Sequence, residues 1–162
     1  MDAFRFEYDH GPISYGPGAV ADLDDELADI GAERALIVCG ETVGSTADVI
    51  EPVEAGLGES HAGTFAGTTP AKRLGSAVAG LEAMDDLDAD ALVSLGGGSS
   101  LDVAKAIAVL AGRDEAPPEL AAELADTGTI ALPEDVPPIV TVPTTLAGAD
   151  LSMAAGITAT PA

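Results

Sequence analysis

Residues 4–8, Phe-Arg-Phe-Glu-Tyr, alternate apolar and polar side chains, the period of a half-buried strand. Residues 12–15 are its expected partner, and Gly16-Pro17-Gly18 breaks the chain after them. Over residues 19–30 the period changes: Val20, Leu23, Leu27 and Ile30 recur at helical spacing, with Gly31 as the stop. Residues 35–39, Ala-Leu-Ile-Val-Cys, form a short continuous apolar run, the pattern of a strand buried on both faces. A helix is expected over 45–55, although Pro52 stands near its middle, and Gly56–Gly58 should end it. Residues 61–66 read as a strand, and Thr69-Pro70 as the start of a helix whose stripe is Leu74, Ala77, Val78, Leu81 and Met84. A second apolar run at 91–95 leads into Gly96-Gly97-Gly98-Ser99, and Val103, Ala104, Ile107, Ala108 and Leu110 mark a helix to about residue 111. Residues 112–138 are rich in Pro, Glu and Asp, with a helical turn expected at 120–125, and 139–142 is the last strand. Strands alternating with helices predict an α/β fold with a parallel sheet covered on both faces.

Composition narrows what such a fold serves. The chain has 162 residues, one domain in length, with 28 acidic and 6 basic residues and a net charge of −22. That charge repels phosphate backbones, so a nucleic-acid partner is not expected. With 47% hydrophobic residues the chain is not a disordered polymer. No apolar run approaches the roughly 18 residues of a membrane span, and the N-terminus lacks the pattern of a signal peptide. One cysteine, Cys39, excludes an internal disulfide and fits a reducing cytoplasm. The acids are scattered and only two lysines occur, Lys72 and Lys105. One-sided charge of this kind is tolerated where salt shortens the Debye length to about 3 Å near 1 M, so a halophilic setting is the reading preferred over an acidic docking face.

The sharpest chemistry lies at Leu92-Val93-Ser94-Leu95-Gly96-Gly97-Gly98-Ser99-Ser100-Leu101-Asp102. Strand, glycine turn and helix start follow directly. The glycines let a ligand approach the backbone, and the first helical amides, at the positive end of the dipole, lack internal partners. A pyrophosphate can accept them, and the Ser99 hydroxyl can add a bond. The plainer alternative is a tight turn with a helix cap. The pattern is neither G-x-G-x-x-G, since Leu101 replaces the last glycine, nor a Walker loop, since no Gly-Lys-Ser/Thr follows. Ser99 and Asp102 have capping-box spacing, and Lys105 lies three residues beyond Asp102, so capping and an i,i+3 ion pair compete with chemistry there. A second cluster, Pro143-Thr144-Thr145-Leu146-Ala147-Gly148-Ala149-Asp150, follows the last strand. Strand ends in open α/β sheets bind ligands, and Thr144 and Thr145 offer hydroxyls for a ribose or phosphate, or for a simple turn. His10 and His61 stand alone, no metal-ligand spacing is legible, and no nucleophile elbow occurs.

Together these residues resemble the iron-containing alcohol dehydrogenase superfamily, in its N-terminal nucleotide-binding domain. Residues 96–107 are similar to its Gly-Gly-Gly-Ser-x-x-Asp-x-x-Lys signature, 143–150 to its Pro-Thr-Thr-x-x-Gly segment, and Tyr15-Gly16-Pro17-Gly18 in outline to its early Phe-Gly-x-Gly turn. The Thr-Thr-x-Ala-Gly spacing resembles most the maleylacetate reductase branch, which has Ser-Glu where this chain has Ala149-Asp150. The resemblance implies a Rossmann-like parallel sheet with helices on both faces and a small N-terminal strand pair. It implies that residues 1–162 are an NAD(P)-binding domain, and that a helical domain absent from this chain supplies Asp and His ligands for iron or zinc. By position, Gly97, Gly98 and Ser99 would hold the pyrophosphate, Gly96 would belong to the same cofactor-binding turn, and Asp102 and Lys105 would lie near the nicotinamide. Thr144, Thr145 and Leu146 would flank the cofactor. Gly40 stands where the family often has an Asp for the adenosine ribose, so NADP should be tolerated beside NAD, although Glu41 can restore the repulsion. No residue of the chain is expected to be catalytic by itself.

The expected function is therefore the cofactor half of an NAD(P)-dependent oxidoreductase interconverting small alcohols and carbonyl compounds, inactive as this chain alone. Metal-independent reduction of an enoate, and a non-catalytic nucleotide-binding module, are the alternatives. A dehydroquinate-synthase-like lyase would need more basic residues than six. Pairing of N-terminal strands across a homodimer is also expected.

Overall fold

The computed structural model describes residues 4–8, 11–115, 117–152 and 154–158. His10 and the chain ends lie outside them. An antiparallel hairpin of β1 (Phe4–Tyr8) and β2 (Gly11–Tyr15) opens the chain, pairing Phe4 with Tyr15. A 3₁₀ turn (Ala19–Asp22) runs into α1 (Leu23–Asp29), so the single helix expected over 19–30 is two pieces. Gly31, at φ +76°, closes α1 as foreseen: its amide reaches the Ala28 carbonyl (3.0 Å), and that of Ala32 reaches Leu27 (3.0 Å), a Schellman end.

The main sheet is parallel, in the order β4-β3-β5-β6. Its strands are β3 (Ala35–Gly40), β4 (His61–Thr68), β5 (Ala91–Gly96) and β6 (Ile139–Pro143). The chain goes from β3 outward to β4, then crosses back to β5 on the other side of β3. The direction of winding therefore reverses between β3 and β5, and a crevice opens at their carboxyl ends. Gly40 and Gly96 end those two strands.

The continuous apolar runs serve two cores at once, because side chains alternate across a strand. Ile37, Cys39, Val93 and Leu95 face α1 and α3 (Ala47–Leu57), meeting Leu27, Ile50, Val53 and Leu57. Leu36, Val38 and Leu92 face the other layer, meeting Met84 of α4 (Leu74–Asp86), Val103 and Ile107 of α5 (Gly98–Ala111), and Leu120 of α6 (Pro117–Thr127). The fold is the α/β, Rossmann-like sheet with helices on both faces that the pattern predicts.

Several boundaries differ from expectation. A short helix, α2 (Glu41–Gly44), precedes α3, which starts at Ala47 and continues through Pro52 to Leu57. Gly56 does not end α3; it lies inside the helix, where a Cβ would overlap the Val20 carbonyl, and Gly58 at φ +53° is the stop. β4 extends to Thr68, and α4 begins at Leu74, not at Pro70, because Lys72 at φ +47° turns the chain first. The acidic stretch holds a full helix where one turn was expected: Pro117 and Pro118 open α6 and Leu120 is fully buried. Arg113 ties that stretch down through Glu115 (2.9 Å), Glu123 (3.0 Å) and the Ala131 carbonyl (2.8 Å).

Candidate functional site

The glycine turn sits at the carboxyl end of β5, beside the crevice. Gly96 is at φ +142°, and a Cβ there would stand 2.6 Å from the Ser100 hydroxyl, so both conformation and space require glycine. Gly97 is extended and caps α5 without a side-chain bond. Ser100 and Leu101 return their amides to the Gly97 carbonyl (3.1 and 3.3 Å), which leaves those of Gly98 and Ser99 ahead of the first intrahelical bond. Among the described residues, no carboxylate bonds the amides of 97–99.

The segment after β6 forms the facing wall. Thr144 donates its amide to the Gly96 carbonyl (2.9 Å), pinning wall to turn. A Cβ on Gly97 would meet the Thr145 hydroxyl at 3.3 Å, and one on Gly98 would meet the Ala147 and Ala149 methyls at 3.7 Å. A small pocket lies between, bounded by the glycines, Leu101, Thr145, Ala147, Ala149 and the acidic Asp150. Leu146 is fully exposed at the tip of this segment. Gly40 ends the neighbouring strand in extended conformation, against the Thr68 carbonyl. The structure thus gathers Gly96, Gly97, Gly98, Ser99, Thr144 and Thr145 at the adjoining ends of β5 and β6, with Gly40 at the end of β3.

Asp102 and Lys105 behave differently from their local pattern. The capping box does not form. Asp102, largely buried, pairs with Lys72 from the β4–α4 turn at 2.8 Å. Lys105 does not make the i,i+3 ion pair; its ammonium donates to the carbonyls of Ala149 (2.8 Å), Ser152 and Ala154 (3.0 Å). Burial lowers the Lys105 pKa, opposed by the Asp102 and Asp150 charges. Sequence reasoning also missed the buried hydroxyl pair Thr68–Ser100 (3.2 Å), which links the end of β4 to the first turn of α5. Lys72 was missed as well; the scarcity of lysine in so acidic a chain was a signal that could have pointed to it.

Among the described residues no three His, Cys, Asp or Glu side chains gather as a metal ion requires, so the described residues do not fit iron. For a dinucleotide the residues offer the amides of Gly98 and Ser99, ahead of the first intrahelical bond, where a Cβ on Gly98 would meet only the Ala147 and Ala149 methyls. Also among the described residues, no helix is long and apolar enough to cross a membrane.

The family model described as iron-containing alcohol dehydrogenase matches residues 11–162. Maleylacetate reductase 1 of Cupriavidus pinatubonensis is 27% identical over 159 residues, covering 98% of this chain and 37% of that protein. The NAD-dependent methanol dehydrogenase of Bacillus methanolicus is 38% identical over 100 residues, 59% of this chain and 26% of its own. Among solved structures, an alcohol dehydrogenase from Ralstonia eutropha superposes with a TM-score of 0.62 at 29% identity, over 86% of this chain and 32% of that one. The chain spans little more than a third of the length of the curated relatives it matches.

Proposed function

Because the chain belongs to the iron-containing alcohol dehydrogenase family, we propose that residues 1–162 form its NAD(P)-binding domain. The observation that carries this reading is the open cradle at Gly97–Ser99. The amides of Gly98 and Ser99 precede the first intrahelical bond of α5 at the strand-winding reversal, with the helix dipole behind them; among the described residues no carboxylate is hydrogen-bonded to them, and Asp150 lines the pocket beside them. The pyrophosphate would lie there, the adenosine ribose toward Gly40, and Thr144, Thr145 and Leu146 along the flank. When bound, the nicotinamide supplies or accepts hydride at C4. This chain's residues bind and orient it; metal ligands and substrate contacts belong to the further length that the relatives have. The substrates are then small alcohols or carbonyl compounds, in a cytoplasmic and salt-rich setting, with homodimers formed through the N-terminal strands.

A second reading has the full-length protein reduce an enoate as a maleylacetate reductase does, without metal. The likeness to the Cupriavidus enzyme and the Thr144-Thr145-x-Ala147-Gly148 spacing favour it.

Calorimetric titration in roughly 1 M salt tests the cofactor reading, because screening keeps the acidic chain compact there. Saturable uptake of NADH and NADPH is expected, without turnover of alcohols by the chain alone. Uptake of neither contradicts the reading, and NADH tighter by about tenfold, about 1.4 kcal/mol, removes the NADP assignment based on Gly40. Equal thermal stability in dilute buffer and in molar salt contradicts the halophilic setting.

A further inference from the structure

We propose that Lys72 and Lys105 act as a clamp that holds residues 149–152 and 154–158 across the first turns of α5 and thereby sets the wall of the dinucleotide site. The proposal rests on the cofactor reading above.

The chain's only two lysines converge on this one strap. Lys105 projects from α5, and its ammonium meets the carbonyls of Ala149, Ser152 and Ala154. An ammonium has three donors, and three acceptors take them. Carbonyl oxygens crowded at one point repel each other without a cation between them, so the placement of the Ala149, Ser152 and Ala154 carbonyls depends on that charge. Lys72 holds the far end. Its carbonyl accepts the Thr158 amide (2.8 Å), Leu74 donates back to the Thr158 carbonyl (3.0 Å), and its ammonium is anchored by Asp102 (2.8 Å). The strap passes over this ion pair at Gly156, where a Cβ would stand 3.2 Å from the ammonium and 3.7 Å from the carboxylate.

The strap has little else to hold it. Residues 151, 152 and 154–156 are exposed, and Ile157 alone joins the core beneath α4 and α5. Ala149 connects clamp to site: its carbonyl is held by Lys105, and its methyl faces Gly98. Lys105 is therefore a positioning residue here. It acts through Ala149 and not on the nicotinamide. If the clamp is removed, the strap samples open positions, and apparent affinity falls with the fraction of molecules whose wall is formed.

The test compares the full chain with Lys105→Met in molar salt, by NADH titration and by amide hydrogen exchange without nucleotide. Expected are NADH binding weaker by about tenfold and faster exchange at Leu151 and Ser152, with exchange in β3 and β5 unchanged. Binding within about twofold of the parent, or unchanged exchange in the strap, overturns the clamp. Should Lys105→Met also lose protection in β5, Lys105→Gln replaces it; faster exchange at Leu151 and Ser152 with intact strands supports the clamp, and unmoved exchange there overturns it. A parent chain that takes up no NADH overturns the cofactor reading instead, and strap exchange alone then decides the clamp.

Discussion

The two ends of α5 carry glycines with opposite tasks. At its C-terminal end, a Cβ on Gly112 would overlap the Asp135 carbonyl and stand 2.6 Å from the Pro133 ring, so the chain itself fills the space. At its N-terminal end, a Cβ on Gly98 would meet only two methyl groups at ordinary contact distance. The strands repeat this contrast. At the lower end of the sheet, the Asp90 carboxylate accepts the amides of Glu33 (3.0 Å) and Arg34 (2.8 Å), while the Arg34 guanidinium closes the end of α4 on the Leu87 (2.8 Å) and Asp88 (3.2 Å) carbonyls. There the protein supplies its own anion to bare amides. At the upper end no carboxylate among the described residues does so. One end is finished by the chain; at the other the amides of Gly98 and Ser99 stay without a protein carboxylate among the described residues, which is what the proposed ligand site needs.

That contrast breaks first where the packing is tightest. Gly112→Ala forces a methyl against backbone and should cost about 3 kcal/mol, lowering the melting temperature by roughly 6–12 °C. NADH affinity of the molecules still folded should not change, which calorimetry below the transition checks. Asp90→Ala leaves the amides of Glu33 and Arg34 without their anion. A loss of about 1–2 kcal/mol by denaturant titration is expected, again without effect on nucleotide affinity. A large change of affinity in either variant would mean that the two ends are not independent.

The smallest effect concerns the floor of the upper end. Cys39 is fully buried beside Gly40, and burial, then the Glu54 charge, push its thiol pKa up. The folded state thus keeps a proton that the unfolded chain releases, so this contribution is present below the ordinary thiol range and is lost as pH rises through it. Stability should fall more steeply above that range in the parent than in Cys39→Ala. Identical slopes would show that the thiol is not in a dry site.

What was legible in the sequence follows from what is local. The apolar runs of β3 and β5 announce a doubly covered sheet because burial on both faces leaves no room for alternation. The glycine turn is legible because Gly96 needs a positive φ and Gly97–Gly98 need empty space. Local rules misled where a distant partner prevailed. Ser99 and Asp102 have capping-box spacing, yet Lys72, thirty residues away in sequence, takes the carboxylate. Pro70 has the position of a helix start, but Lys72 turns the chain before Leu74. The length of α6 was hidden by its acids, since Leu120 alone is fully buried in it. The carbonyl cluster around Lys105 has no local signature, because it exists only once the strap has folded onto α5.

The central claim is that the space beside Gly98 belongs to a diphosphate. Gly98→Val places methyl groups in that space, and a Cβ at this position would stand 3.7 Å from the Ala147 and Ala149 methyls, without backbone conflict. NADH titration of this variant in molar salt, with its melting temperature measured alongside, is the most direct test. The account predicts a melting temperature close to the parent's and no measurable NADH uptake; a variant that folds and binds NADH as tightly as the parent contradicts it.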